Sequence, residues 1–176
     1  MRNPFSLRLL VGLVALCVAA PAFAGNGASL LQYLPSSSQV VVGINVERLR
    51  GSPLWTQALD VAGSDAELSG SLRTLTEAGF DPRTTAQTVV VASNRNSGDL
   101  GESAIAIVEV AYPREALVNV LVQDGYALGT DAGATHYRKG NSTVALLSDS
   151  VLAVGEHSLV APALAGPAGA TGRVRT

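Results

Sequence analysis

The sequence predicts an α+β protein in which helices pack on one face of a mainly antiparallel sheet. Three observations carry that expectation. β-Branched runs of strand length recur at "VVVGINV" (40–46), "TVVVAS" (88–93) and "AIAIVEV" (104–110). Capped, helix-spaced apolar stretches lie between them. The last third then breaks into short apolar runs separated by turn formers, among them a hairpin around Ser148-Asp149-Ser150. The order read from these signals is β-α-α-β-β-α-β-β-β-α. Its first part suggests a ferredoxin-like split β-α-β arrangement, and an antiparallel hairpin is appended.

Each element has a local reason. Ser36 to Ser38 lead into a strand over Gln39 to Val46, with Val40, Val42, Ile44 and Val46 on one side and Val41, Gly43 and Asn45 on the other. Ser52-Pro53 reads as N-cap and first helical residue, because proline lacks only an N–H that has no partner there. Leu54, Trp55, Ala58, Leu59 and Ala62 form the apolar stripe of that helix, and Gly63 closes it. Ser64 and Glu67 make a capping box for a helix running to Ala78 through Leu68, Leu72 and Leu75. Gly79 fits the left-handed C′ position and Phe80 the position after it. Asp81-Pro82 opens another turn before the strand Thr88–Ser93. Asn94 to Glu102 is a polar loop leading to the strand Ala104–Val110.

Pro113 starts a helix whose Leu117, Val120 and Leu121 share a face, and Gly125 ends it. Thr135 to Arg138 is a short strand. Thr143–Leu147 and Val151–Val154 form a hairpin around Ser148-Asp149-Ser150, and His157 to Leu164 is the last helix. Residues 165–176 hold too little apolar mass to order themselves and read as a flexible Gly/Ala-rich tail. The domain expectation is therefore a single α+β unit over residues 25–164.

Residues 1–24 read as a secretory signal peptide. Arg2 and Arg8 form a basic start, Leu9 to Ala20 a 12-residue apolar core, and Ala22 and Ala24 the small residues of an A-x-A cleavage site. The apolar core is shorter than the ~20 residues a membrane span needs, so no span is expected after signal removal. Cys17 is preceded by Leu16, too large a neighbour for a lipidated cysteine. It is the chain's one cysteine and leaves with the signal, which excludes disulfides and thiol chemistry from the remainder. An exported domain without disulfides fits a bacterial envelope, so the expected location is periplasmic or secreted. The leader carries two of the 12 basic residues and none of the 14 acidic ones, leaving the rest at −4. With no basic patch beyond Arg138-Lys139, nucleic-acid binding has no electrostatic footing.

The chemistry-bearing motifs are absent. Gly43 and Gly51 do not build a phosphate cradle, and neither dinucleotide nor P-loop fingerprints occur. His136 and His157 lie 21 residues apart, with no third histidine to complete a zinc set. A pair of histidines with Asp149 or Glu156 is the nearest the chain comes to a metal site. Both histidines read instead as surface or strand-edge residues, with no metal and no cofactor. A Ser-His-Asp set from Ser148 or Ser150, Asp149 and His157 lacks a nucleophile elbow, and Ser148-Asp149-Ser150 serves more simply as a turn. Trp55 falls on a helix stripe and reads as core.

"LPSSSQVVVGINVERLRGSPLW", "GFDPRTTAQTVVVAS" and "SVLAVGEHSLV" together resemble a group of uncharacterised exported bacterial proteins. In that group a leader precedes α+β units opening with Leu-Pro, a Val-rich strand and a Ser-Pro-Leu helix. The resemblance implies a fold and a location; its motifs are structural and it carries over no functional residue.

The reading that follows is a non-catalytic exported protein acting through protein–protein interaction with an envelope partner, or through self-association as a homo-oligomer. The alternative is an envelope carrier for a small apolar ligand, and an enzyme with a spatially assembled carboxylate site comes third. The expected interaction face is smooth and apolar: Val41 and Gly43 from the first strand with Ala104, Ala106 and Val108 from the third. N-terminal sequencing of the exported form should begin at Gly25. A product in the membrane fraction that retains Leu9 to Ala20 would show an anchor instead.

Overall fold

The computed structural model describes residues 27–64, 76, 79, 81–94 and 104–166. One turn of helix, α1 (Gly27–Leu30), continues into a 3-10 turn (Leu31–Tyr33) and leads to strand β1 (Val40–Asn45). Asn45 ends the strand and caps the next turn, α2 (Val46–Leu49), by accepting the Arg48 N–H at 2.8 Å. Helix α3 (Pro53–Ser64) starts where the Ser-Pro signal places it, with Ser52 Oγ accepting the Trp55 N–H at 3.3 Å. Ser64, predicted to cap a new helix, is instead the last residue of α3; of the predicted helix to Ala78 only Thr76 is otherwise described, and the rest lies outside the described residues. Gly79, its predicted terminator, has a φ of +80°.

The short α4 (Pro82–Thr85) is held by Asp81, whose Oδ1 accepts from the Arg83 backbone at 3.0 Å and from Arg83 Nε at 2.7 Å. The hydrogen bonds from Arg83 hold the Asp81 carboxyl below its ordinary pKa. Arg50 ties α2 to the following strand by donating from Nη2 to the carbonyl of Ala86 at 2.6 Å.

Strands β2 (Ala86–Ser93) and β3 (Ala104–Val110) lead to helix α5 (Arg114–Gln123). That helix ends in a Schellman motif: the Gly125 N–H donates to Val122 O at 3.0 Å and the Tyr126 N–H to Leu121 O at 2.9 Å. Gly125 takes the left-handed conformation this requires, φ +85°. Tyr126 and Leu121 supply the accompanying apolar contact inside the core. A four-strand meander follows: β4 (Ala127–Asp131), β5 (Ala134–Lys139), β6 (Ser142–Leu146) and β7 (Val151–Glu156), closed by helix α6 (His157–Leu164).

All seven strands form one sheet in the order β1-β2-β3-β7-β6-β5-β4, and every neighbouring pair is antiparallel. The α+β class and the appended β6–β7 hairpin stand. A split β-α-β unit needs a parallel pair, and the sheet of the described residues has none, so the ferredoxin-like arrangement is corrected to two antiparallel meanders joined by β3 and β7. Strand β4 was not anticipated.

Helices on one face is the second correction. One face of the sheet (Ile44, Val89, Val91, Ala106, Val144, Leu152) packs with Trp55 of α3 and with Leu117, Val120 and Leu121 of α5. The other face (Val90, Ala92, Ile105, Ile107, Ala153) packs with Leu30 and Leu34 before β1 and with Leu159, Val160, Ala163 and Leu164 of α6. Among the described residues no helix is long and apolar enough to cross a membrane.

Register also divides the predicted interaction face. Val42 sits opposite Val91, which sits opposite Ala106, so Ala106 shares a face with Val42 rather than Val41. Ala104, Ala106 and Val108 pack in the cluster beneath α5, while Val41 packs on the opposite side and Gly43 pairs with Val90 there. The phase between strands is fixed by pairing, and one residue of offset exchanges the faces. Ala106 is 0% exposed. Ala106→Glu should therefore cost at least about 3 kcal/mol, the scale of an uncompensated buried charge, or abolish folding. Urea unfolding followed by circular dichroism reads this, and a variant as stable as the parent would show that face to be open to water.

Candidate functional site

Two histidines and a carboxylate meet at one end of the sheet, where β4, β5 and the start of α6 converge. β4 and β5 are joined by the two-residue turn Ala132-Gly133, both at positive φ (50° and 81°), the backbone signature of a tight hairpin. The turn fixes Asp131, the last residue of β4, against Ala134, and sets Gly129 directly opposite His136. His157, the first residue of α6, is pinned by its own N–H, which donates to Asn141 O at 2.9 Å.

These placements bring three ligand-type side chains together. His157 Nε2 lies 3.4 Å from Asp131 Oδ2, and His136 Nε2 lies 3.7 Å from the same oxygen. The two imidazole rings are 5.5 Å apart between centroids, tilted by 42°. The potential ligand atoms of all three residues fall within 4.8 Å of one another. Thr143, fully buried on β6, steadies the second imidazole, its Oγ1 standing 3.2 Å from His157 Nδ1.

His136 is 4% exposed, and its Nδ1 is buried with no hydrogen-bond partner among the described residues. The sequence places this histidine at the surface or a strand edge; the structure corrects that, because β5 turns it toward the face that α6 covers. Gly129 provides its space, since a Cβ there would stand 2.5 Å from His136 Nε2. Two imidazoles and a carboxylate in this arrangement can hold a divalent cation or relay a proton.

Asp131 was missed in the sequence, and the carboxylates considered in its place are elsewhere. Asp149 is exposed, 3.8 Å from Arg114, and Glu156 accepts from Ser158 Oγ at 2.8 Å. Ser148-Asp149-Ser150 forms the expected hairpin turn, with the Ser150 N–H donating to Ser148 Oγ at 3.2 Å. His157 meets Thr143 and Asp131, so the Ser-His-Asp set is not assembled around it. The only readable signal for Asp131 was "GTDAGATH", a hairpin-like Asp-Ala-Gly whose preceding strand carries little β character.

A second polar cluster has a structural explanation. Lys139 Nζ donates to the Asp124 carbonyl at 2.5 Å, lies 3.3 Å from Asp124 Oδ2 and sits 5.8 Å from the centroid of the Tyr126 ring. Tyr126 in turn shares a hydrogen bond with Ser142 at 3.1 Å, and burial raises its pKa. Together these contacts close the corner between α5 and β4.

No family model matches the chain, and no curated protein matches it. Among solved structures it is similar to a bacterial protein, TP0453 in crystal form III, with a TM-score of 0.50 and 15% identity. The likeness covers 70% of this chain and 44% of that one, so the chain spans less than half of that protein's length. At this identity the likeness is one of α+β fold alone.

His136 contributes little to folding in the metal-free chain, because its buried Nδ1 gains no hydrogen bond among the described residues. His136→Leu should leave the unfolding free energy unchanged or raise it by up to about 1–3 kcal/mol, the desolvation cost of an unsatisfied buried polar group. Urea titration in the presence of chelator measures it. A clear loss of stability would show that the imidazole is satisfied and holds the fold.

Proposed function

We propose that this chain is a non-catalytic exported protein, periplasmic or secreted, that acts by association, with a second copy of itself as the first partner. The single observation behind this reading is strand β1. Among the described residues it pairs with β2 alone and forms the end of the sheet. Its sequence, VVVGIN, contains no charge and no proline. An edge strand presents a row of unpaired N–H and C=O groups, and proteins that stay apart blunt such edges with lysine, proline or brevity. β1 has six residues and none of those devices; Gly43 on it is exposed, and Val41 and Val42 are half-buried.

Antiparallel pairing of β1 with β1 of a second copy would continue the sheet across a twofold axis, since identical strands run opposite to one another there. Of the five residues expected to form an interaction face, Val41 and Gly43 keep a place in this reading, as parts of the edge. The export half rests on the leader pattern of Arg2, Arg8, Leu9–Ala20 and Ala22-x-Ala24. Carriage of an apolar ligand has no comparable support, because the small-residue face it required is divided between two packed clusters.

Sedimentation of the purified mature chain tests the reading. A concentration-dependent dimer is expected, and Val41→Lys, which places a charge on the edge strand, should shift it to monomer with an unchanged circular-dichroism spectrum. A parent chain that stays monomeric up to millimolar concentration would overturn self-association through β1.

A further inference from the structure

We propose that Asp131, His136 and His157 form a binding site for a first-row divalent transition-metal ion of the Zn²⁺ class. The site lies on the β4–β5 side of the sheet, at the opposite end of the strand order from β1, and does not rest on the association proposed above.

The distances suit such an ion. With bonds of about 2.0–2.2 Å, two ligands of a tetrahedral Zn²⁺ stand about 3.3–3.6 Å apart. Asp131 Oδ2 lies 3.4 Å from His157 Nε2 and 3.7 Å from His136 Nε2, and all three ligand atoms fall within 4.8 Å of one another, so closing on the ion would draw the two imidazoles together around the carboxylate. Two imidazole nitrogens with one carboxylate select against Ca²⁺ and Mg²⁺, which favour all-oxygen shells, and match Zn²⁺, Co²⁺, Ni²⁺ or Fe²⁺.

Three further features point at a ligand. The His136 side chain is 6% exposed, and its Nε2 is too far from Asp131 for a hydrogen bond, while its Nδ1 has no hydrogen-bond partner among the described residues. An ion at Nε2 would give the ring nitrogen nearest Asp131 the partner that the carboxylate, at 3.7 Å, does not supply. The room beside that nitrogen exists because residue 129 is glycine; any other residue would put a Cβ 2.5 Å from it. Thr143 stands where an outer-shell partner belongs, on the far nitrogen of His157, fixing the ring so that Nε2 faces Asp131.

Access follows the same order. The Asp131 carboxylate is 45% exposed, His157 23% and His136 6%, so an ion would meet the carboxylate first and the buried imidazole last. Three protein ligands leave at least one coordination position open to water or to a group from another molecule.

Calorimetry with Zn²⁺, and visible absorption with Co²⁺, on the untagged, chelator-stripped mature chain test the site. One equivalent of Zn²⁺ should bind and raise the thermal midpoint, and Co²⁺ should give the bands of a four- or five-coordinate nitrogen/oxygen site. Asp131→Asn and His157→Gln should each weaken binding by more than about 100-fold, since loss of outer-shell partners alone costs 10–100-fold. Gly129→Ala keeps all three ligands yet fills the space against the His136 ring, and should weaken binding comparably. Thr143→Val should cost about 10-fold.

His136→Gln is the variant most exposed to a folding defect, so the partly exposed Asp131 and His157 carry the test, each checked by circular dichroism. Val41→Lys should bind Zn²⁺ as the parent does, which separates this proposal from association through β1. No uptake of Zn²⁺ or Co²⁺ by the parent would overturn the site. So would folded Asp131→Asn and Gly129→Ala variants that bind as tightly as the parent, since the ion would then sit elsewhere.

Discussion

Strands β2, β3 and β7 are apolar on both of their sides, and the rest of the architecture answers to that constraint. On β2, Val89 and Val91 face one way and Val90 and Ala92 the other; on β3, Ala104 and Ala106 oppose Ile105 and Ile107. Leaving either set in water would forgo roughly 1.5–3 kcal/mol for each larger side chain, so both sides must be covered. α5 with Trp55 of α3 covers one, and α6 with the segment around Leu30 and Leu34 covers the other. The middle of the sheet is thereby committed to packing. Polar chemistry and unpaired backbone are left to its two ends, β1 on one and β4 with β5 on the other.

That same constraint explains which parts of the fold were legible in the sequence. Element positions could be read, because each rests on neighbours in the chain: Ser52-Pro53 before α3, Gly125 after α5, Ser148-Asp149-Ser150 between β6 and β7. Arrangement could not. A continuous apolar strand says only that both of its faces avoid water, and a small-residue face left open to a partner satisfies that as well as one sealed by helices. The choice depends on register, and the pairing of Val42 with Val91 and of Val91 with Ala106 is written in no single strand. A change of one residue would have put Ala106 beside Val41.

The candidate site was hidden for two separate reasons. β4 carries Ala-Leu-Gly-Thr-Asp, which has neither β-branched density nor apolar alternation, and its pairing with β5 comes from the hairpin turn rather than from its own propensity. With β4 unread, Asp131 had no place. The two histidines are far apart in the chain, and they meet only because β6 and β7 return the chain so that α6 starts beside β5. Nearness of that kind belongs to the topology, and residue spacing does not reveal it.

Local rules are broken together at this end of the molecule. Gly129 weakens a strand that is already poor in β-formers. Ala132 holds a positive φ of 50°, a conformation that a residue with a Cβ enters only at a cost. His136 places in a buried position a nitrogen, Nδ1, that has no partner among the described residues. Stability alone would favour a β-branched residue at 129, asparagine or glycine at 132 and an apolar side chain at 136. Sequences that otherwise agree with their fold at every level tend to depart from it where something besides folding is being served. Here each departure acts on the same few ångströms. The turn at Ala132 sets Asp131, the glycine makes room beside Nε2, and the buried imidazole brings Nε2 within 3.7 Å of the Asp131 carboxylate. The hairpin turn itself accounts for the positive φ at Ala132, while a bound cation would give the glycine at 129 and the buried imidazole at 136 a common purpose.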